Sequence, residues 1–102
     1  MSCLRTQASI MVYFVYIITN KTNAVLYTGV TSDLPRRISE HKSGLYQGFS
    51  KRYHASKLIY AEQFQNVEEA IQREECIKRW KRDWKLKLIE ESNPNWNELN
   101  PF

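Results

Sequence analysis

MVYFVYIITNKTNAVLYTGVTSDLPRRISEH, residues 11–41, decides the fold. Its first nine residues are dense in β-branched and aromatic side chains with no polar alternation, which predicts a strand buried on both faces and central in its sheet. NKTNA, residues 20–24, is turn chemistry, and VLYTGV, residues 25–30, is a second strand. So short a connection makes the pair an antiparallel hairpin. Gly29, close to the end of the second strand, marks a close backbone approach or an unusual dihedral. Thr31, Ser32 and Asp33 then offer a helix cap, and Pro35 suits a first helical turn. The helix predicted over residues 34–42 stops at Ser43 and Gly44 and places Leu34, Ile38 and His41 on or near one face.

Working outward, residues 45–56 are polar and irregular, and KLIYAEQF at 57–64 reads as a third strand. Asn66 and Glu69 form a capping box before a long helix whose apolar side holds Ala70, Ile71, Ile77 and Trp80. A break near Arg82 and Asp83 precedes a further helix over residues 84–90. The Asn- and Pro-rich tail packs through Trp96 and Leu99. The expectation is one α+β domain with a small three-stranded antiparallel or mixed sheet flanked by helices, in the order β-β-α-β-α-α. Residues 1–10 are read as an extension and 11–102 as the domain, with Met11 a second candidate start.

Composition sets the bounds. The chain has 102 residues, net charge +4, 42% hydrophobic and 13% aromatic residues, which leaves room for one domain and excludes compositional disorder. Two cysteines, Cys3 and Cys76, cannot build a disulfide framework or a four-ligand zinc site, and they suit a reducing cytoplasm. Cys76 is read as a small packed side chain, and the three tryptophans as closing the core. No stretch approaches the roughly 20 apolar residues of a membrane span, and the N-terminus lacks the apolar run of a secretory signal.

Three features occur in order. Val15-Tyr16-Ile17 lies in the first strand. Tyr27-Thr28-Gly29 lies in the second, eleven residues on from tyrosine to tyrosine. Arg37 follows Tyr27 by ten residues, and His41 follows Arg37 by four. With the later segments EAIQRE and NPNWNEL, this resembles the small stand-alone members of the GIY-YIG nuclease family, over residues 12–99. Each tripeptide alone is a weak signal; the ordered set is a strong one. Two positions depart from the name motif: Val15 replaces its first glycine and Thr28 its middle isoleucine.

The resemblance implies an endonuclease that hydrolyses DNA phosphodiester bonds with a single divalent ion, Mg2+ or Mn2+, and with structural rather than sequence preference, in DNA repair, recombination or processing. It carries Glu74 over as the metal ligand; magnesium keeps several waters and takes one or two carboxylates, so one is enough. Composition alone would make Glu74 a solvated helix carboxylate. Arg37 is the phosphate clamp, since a guanidinium keeps its charge and grips two oxygens at once. Tyr27 is placed near the nucleophilic water and Tyr16 beside it; a phenol with pKa about 10 needs a cationic or metal-bound neighbour to act as a base. Their plainer reading is as core tyrosines, which is how Tyr13, Tyr46 and Tyr60 are read. His41 shares a helix face with Arg37 and either relays a proton, holds a phosphate or bonds backbone at the helix end. Asn93, before Pro94, either orients a phosphate or is a turn residue.

Charge is unevenly placed. Residues 35–57 hold six basic side chains and one acid, and residues 71–90 hold seven basic and four acidic. Phosphate backbones attract such patches without regard to base sequence. Arg36, Lys51, Arg52 and Lys78 are the candidate nucleic-acid contacts beside Asn93, whereas Lys85 and Lys87 read as a solvated helix exterior. The partner is DNA, with RNA a second candidate, and a lone module invites dimerisation or recruitment by another protein. The alternative reading is a nucleic-acid-binding module that keeps the nuclease fold with little turnover. A purely structural domain is a third class with no specific feature in its favour.

Overall fold

The computed structural model describes residues 12–43 and 55–100. The expected extension at residues 1–10 and the side chains of Cys3, Tyr46, Lys51 and Arg52 lie outside them. The elements run β1 (Tyr13–Thr19), β2 (Leu26–Thr31), α1 (Leu34–Ser43), β3 (Lys57–Phe64), α2 (Val67–Arg79) and α3 (Arg82–Ser92). The order is the one expected from the sequence, an α+β arrangement.

The sheet is wholly antiparallel with strand order β2-β1-β3. β1 is central, as its two-sided apolar character requires. Alternation along β1 divides the core. Val15 and Ile17 join Ile59, Ala70, Ile77 and Ile89 on the side covered by α2 and α3. Tyr16 and Ile18 join Leu34, Ile38 and Leu58 on the side covered by α1. All four of these β1 residues are fully buried, and complete burial of a Val or Ile contributes about 1.5–3 kcal/mol. β3 carries an irregularity: the register steps from Ile17↔Tyr60 to Ile18↔Leu58, so Ile59 is an extra residue.

Caps act where the sequence offered them. The Asp33 carboxylate accepts the Arg36 amide at 3.3 Å at the start of α1. The Asn66 side chain accepts from the amides of Glu68 and Glu69. The α2–α3 break falls at Trp80–Lys81 rather than at Arg82–Asp83. Trp80 turns extended (φ −67°, ψ 150°) after α2, and its ring lies 5.1 Å under the Arg73 guanidinium.

Three packing expectations are corrected. Ile71 is 41% exposed and Cys76 is exposed. The inner stripe of α2 runs Ala70, Glu74, Ile77, and both of those residues lie off it. Trp84 is 61% exposed, while Trp80 and Trp96 pack against the core.

The tail is built into the domain. Leu99 does not pack through its side chain, which is exposed, but through its backbone: its N–H donates to the Leu58 carbonyl at 2.7 Å, and Asn93 Nδ2 donates to the Ile59 carbonyl at 3.0 Å. Both bonds engage β3, an outer strand whose edge would otherwise be open to pairing. Glu98 ion-pairs with Lys42 at the end of α1.

Candidate active site

The site is assembled on the α1 side of the sheet. Tyr16 in β1 pairs across the ladder with Gly29 in β2, and Ile18 pairs with Tyr27. Both tyrosines therefore project toward α1. From the helix, His41 meets them: Tyr16 Oη and His41 Nε2 are 3.1 Å apart. The Tyr27 ring lies 5.6 Å from the imidazole and 6.4 Å from the Tyr16 ring, centre to centre. Arg37, one turn earlier on α1, acts electrostatically on His41.

Gly29 is the steric condition for this cluster. A Cβ there would sit 2.5 Å from Tyr16 Oη and 2.6 Å from its Cζ. The phenol thus occupies space over Gly29 that any side chain would fill.

Burial separates the two tyrosines. Tyr16 is fully buried, while Tyr27 keeps partial exposure. Tyr16 meets the His41 imidazole beneath the surface. Tyr27 is the phenol that solvent reaches. Burial, and then the Arg37 charge, push the His41 pKa down to about 4, against a smaller opposing effect of Glu40. His41 is consequently neutral near pH 7, a hydrogen-bonding base rather than a cation. The charged member of this helix pair is Arg37.

Glu40 lies between two arginines, 3.3 Å from Arg36 Nε and 3.4 Å from Arg37 Nε. The Arg36 side chain is 75% exposed, so its pair contributes little. The Arg37 side chain is 29% exposed and is held against the site.

Glu74 lies in the other layer, across the sheet from the tyrosines. It sits on the inner stripe of α2, and α2 packs on the Val15 and Ile17 side. Its carboxylate is 14% exposed and pairs with Lys78 at 2.9 Å. The structure thus brings Tyr16, Tyr27, Arg37 and His41 together and holds Glu74 with Lys78 on α2. Among the described residues no group of three His, Cys, Asp or Glu side chains is placed to bind a metal. The donor set fits a hydrated ion held by one carboxylate, and it does not fit a multi-carboxylate cage.

Asn93 is 6% exposed, and its amide is engaged within the chain. Nδ2 donates to the Ile59 and Asn97 carbonyls, and Oδ1 accepts the Asn97 amide at 3.0 Å. Between the two readings of this residue, the geometry is that of a turn fastener.

A second polar cluster escaped the sequence reading. Arg73 grips Glu62 with two bonds of 2.9 Å, and Tyr60 donates to the same carboxylate. Burial and the Glu62 hydrogen bond push the Tyr60 phenol above its ordinary range. Burial alone would raise Glu62, but its bonds from Arg73 and Tyr60 hold it below the usual carboxylate range. The cluster fastens α2 to β3. Its signal, alternate polar residues on a strand facing a helix, is too common to single out.

Comparisons with known proteins give the family of the chain. Residues 12–87 match the model of the GIY-YIG catalytic domain. The chain belongs to the GIY-YIG family of nucleases, for which a nucleic acid is the implied substrate class. Within it, the chain is similar to UPF0213 proteins. One from Staphylococcus haemolyticus is 40% identical over 79 residues, covering 78% of this chain and 95% of the relative. One from Clostridium perfringens is 41% identical over 76 residues, covering 74% and 81%. The solution NMR structure of the UPF0213 protein BH0048 from Bacillus halodurans superposes with a TM-score of 0.56 at 30% identity, covering 86% of this chain and 93% of that one. Nucleases of the family generally use divalent metal ions. The two departures from the name motif, Val15 and Thr28, are both buried and belong to the α2 side of the sheet. They are substitutions in the packing layer behind the tyrosines.

Proposed function

We propose that the chain is a divalent-metal-dependent endonuclease that hydrolyses DNA phosphodiester bonds with a structural preference. The observation that carries this reading is the Tyr16–His41 hydrogen bond lying beneath a partly exposed Tyr27 with Arg37 alongside. Four motif residues from three elements converge, and Gly29 leaves the space they need.

Hydrolysis requires charge stabilisation on the phosphate, a positioned water and relief of the leaving oxygen. Arg37 binds and orients the phosphate, and its charge persists at any working pH. Tyr27 is the group that meets the attacking water. Neutral His41, held by Tyr16, accepts a hydrogen bond or a proton beside it. Glu74 is the residue that would hold the metal ion, which when bound supplies positive charge against the phosphate oxygens. Lys78, already on that carboxylate, competes with the ion and contacts the same phosphate once displaced. Arg36 adds an exposed charge outside the clamp. Asn93 is left out of substrate contact.

A second reading has an observation of its own. Glu74 already has a cation in Lys78, as in a module that holds nucleic acid with little turnover. The two readings separate in one assay: purified protein with a panel of nicked, flapped, branched and single-stranded DNAs, with and without magnesium, and Glu74→Ala alongside. The endonuclease reading expects magnesium-dependent cleavage that Glu74→Ala abolishes. Binding that weakens steeply with salt, ignores Glu74→Ala and yields no product supports the module.

A further inference from the structure

The hairpin turn between β1 and β2 is ringed by cations that the motif does not use. Asn23 closes the turn in the left-handed region, φ 58°, a conformation Asn tolerates better than most residues. Two basic side chains bond to it. Lys57 Nζ donates to Asn23 Oδ1 at 3.2 Å, and Arg82 Nη2 donates to the Asn23 carbonyl at 3.4 Å. On the Lys57 side lies a cavity of about 620 Å3 lined by Lys21, Thr22, Lys42, Lys57 and Glu98 among others. On the Arg82 side lies one of about 220 Å3 between Ala24, Val25, Leu26, Arg82 and Lys85.

The charges there are poorly balanced. Glu98 is taken by Lys42. Among the described residues, Lys21, Lys57, Arg82 and Lys85 have no carboxylate within ion-pair distance. Lys85 is not the solvated exterior its sequence suggests. It is half-buried, and burial first, then Arg82 and Lys78, lower its pKa. Gathering four cations without counter-charge costs repulsion that a polyanion relieves. The turn also adjoins the site: Tyr27 follows Leu26 directly, so Ala24 is about three strand residues, roughly 10 Å, from it.

We propose that this collar of Lys21, Lys57, Arg82 and Lys85 is a second backbone-binding surface, holding nucleic-acid phosphates beyond the one at Arg37. It rests on the nuclease reading and extends it: the strand would run from Arg37 past Tyr27 and over the hairpin turn. Such contacts position the substrate without reading sequence.

The test is fluorescence anisotropy in EDTA with a labelled DNA duplex of about 20 base pairs, titrated between about 50 and 200 mM salt. The double variants Lys21→Gln/Lys57→Gln and Arg82→Gln/Lys85→Gln should each weaken binding about tenfold and flatten the log–log salt slope by about 1–2. Lys21→Glu/Lys85→Glu leaves both Asn23 bonds intact and should weaken it further. Lys87→Gln, on another face of α3, should match the wild type. Variants that are folded by circular dichroism and keep the wild-type slope overturn the collar. If the wild type still cleaves DNA with magnesium in that case, the collar fails and the nuclease reading stands. A wild type that neither binds nor cleaves overturns both.

Discussion

Gly29→Ala tests the packing of the site most sharply. The added methyl would lie 2.5 Å from Tyr16 Oη and 2.6 Å from Cζ, distances that force the ring to move. That ring is fully buried, so it cannot swing into solvent. Overpacking of this kind costs about 1–3 kcal/mol. Losing the buried bond to His41 adds about 1 kcal/mol. Removing a strand glycine returns about 0.5–1 kcal/mol of backbone entropy. The net expectation is a destabilisation of about 2 kcal/mol, or about 10 °C in Tm for a domain of this size. Urea unfolding followed by tryptophan fluorescence reads it directly. In a Tyr16→Leu background the clash is relieved, so Gly29→Ala should cost less than half as much there. A Gly29→Ala protein within about 0.5 kcal/mol of wild type would refute the claim that the glycine exists to seat the Tyr16 phenol.

The buried imidazole, the Asn93 fastener and the exposed thiol each carry a further expectation. The folded-state pKa of His41, about 4 against an ordinary 6.5, means the unfolded chain binds a proton first as pH falls. Stability is therefore lost between 6.5 and about 4, by about 1–2 kcal/mol from pH 7 to pH 5. Urea titrations at both pH values should show that much less pH dependence in His41→Gln than in wild type. Asn93→Ala should cost about 2–3 kcal/mol by removing three bonds at a buried amide, and hydrogen exchange at the Leu99 amide should accelerate because the tail leaves β3. The Cys76 thiol should react with a disulfide reagent in the folded protein at a rate near that of the unfolded chain, since it is exposed.

The parts of the fold legible in the sequence are those fixed by local pattern. The two-sided apolar run of β1 announces a central strand, and Leu34, Ile38 and His41 announce the buried face of α1; all three are buried. Asn66 announces the start of α2. What could not be read depends on phase and partners. No Gly or Pro marks the α2–α3 break, and Trp80 ends the helix by packing under Arg73 instead. Hydrophobicity favours Ile71 and Cys76 as inner residues, yet the inner stripe of α2 is shared with a carboxylate, Glu74. The site divides along the same line. Spacing collects Tyr16, Tyr27, Arg37 and His41, but it treats the tyrosines alike. Only the register, with Tyr16 opposite Gly29, shows one buried as a support and the other reaching solvent. The collar at Asn23 joins residues from three separate segments, the hairpin turn, β3 and α3, so no linear pattern contains it.

The most direct measurement is the single-turnover rate of DNA cleavage for the wild type, Arg37→Ala and Glu74→Ala, with magnesium and with EDTA, on the substrate of the panel that is cut fastest. The account predicts magnesium-dependent cleavage by the wild type and a loss of roughly a hundredfold or more in either variant. Cleavage that persists in EDTA, or that both variants perform at the wild-type rate, would contradict it.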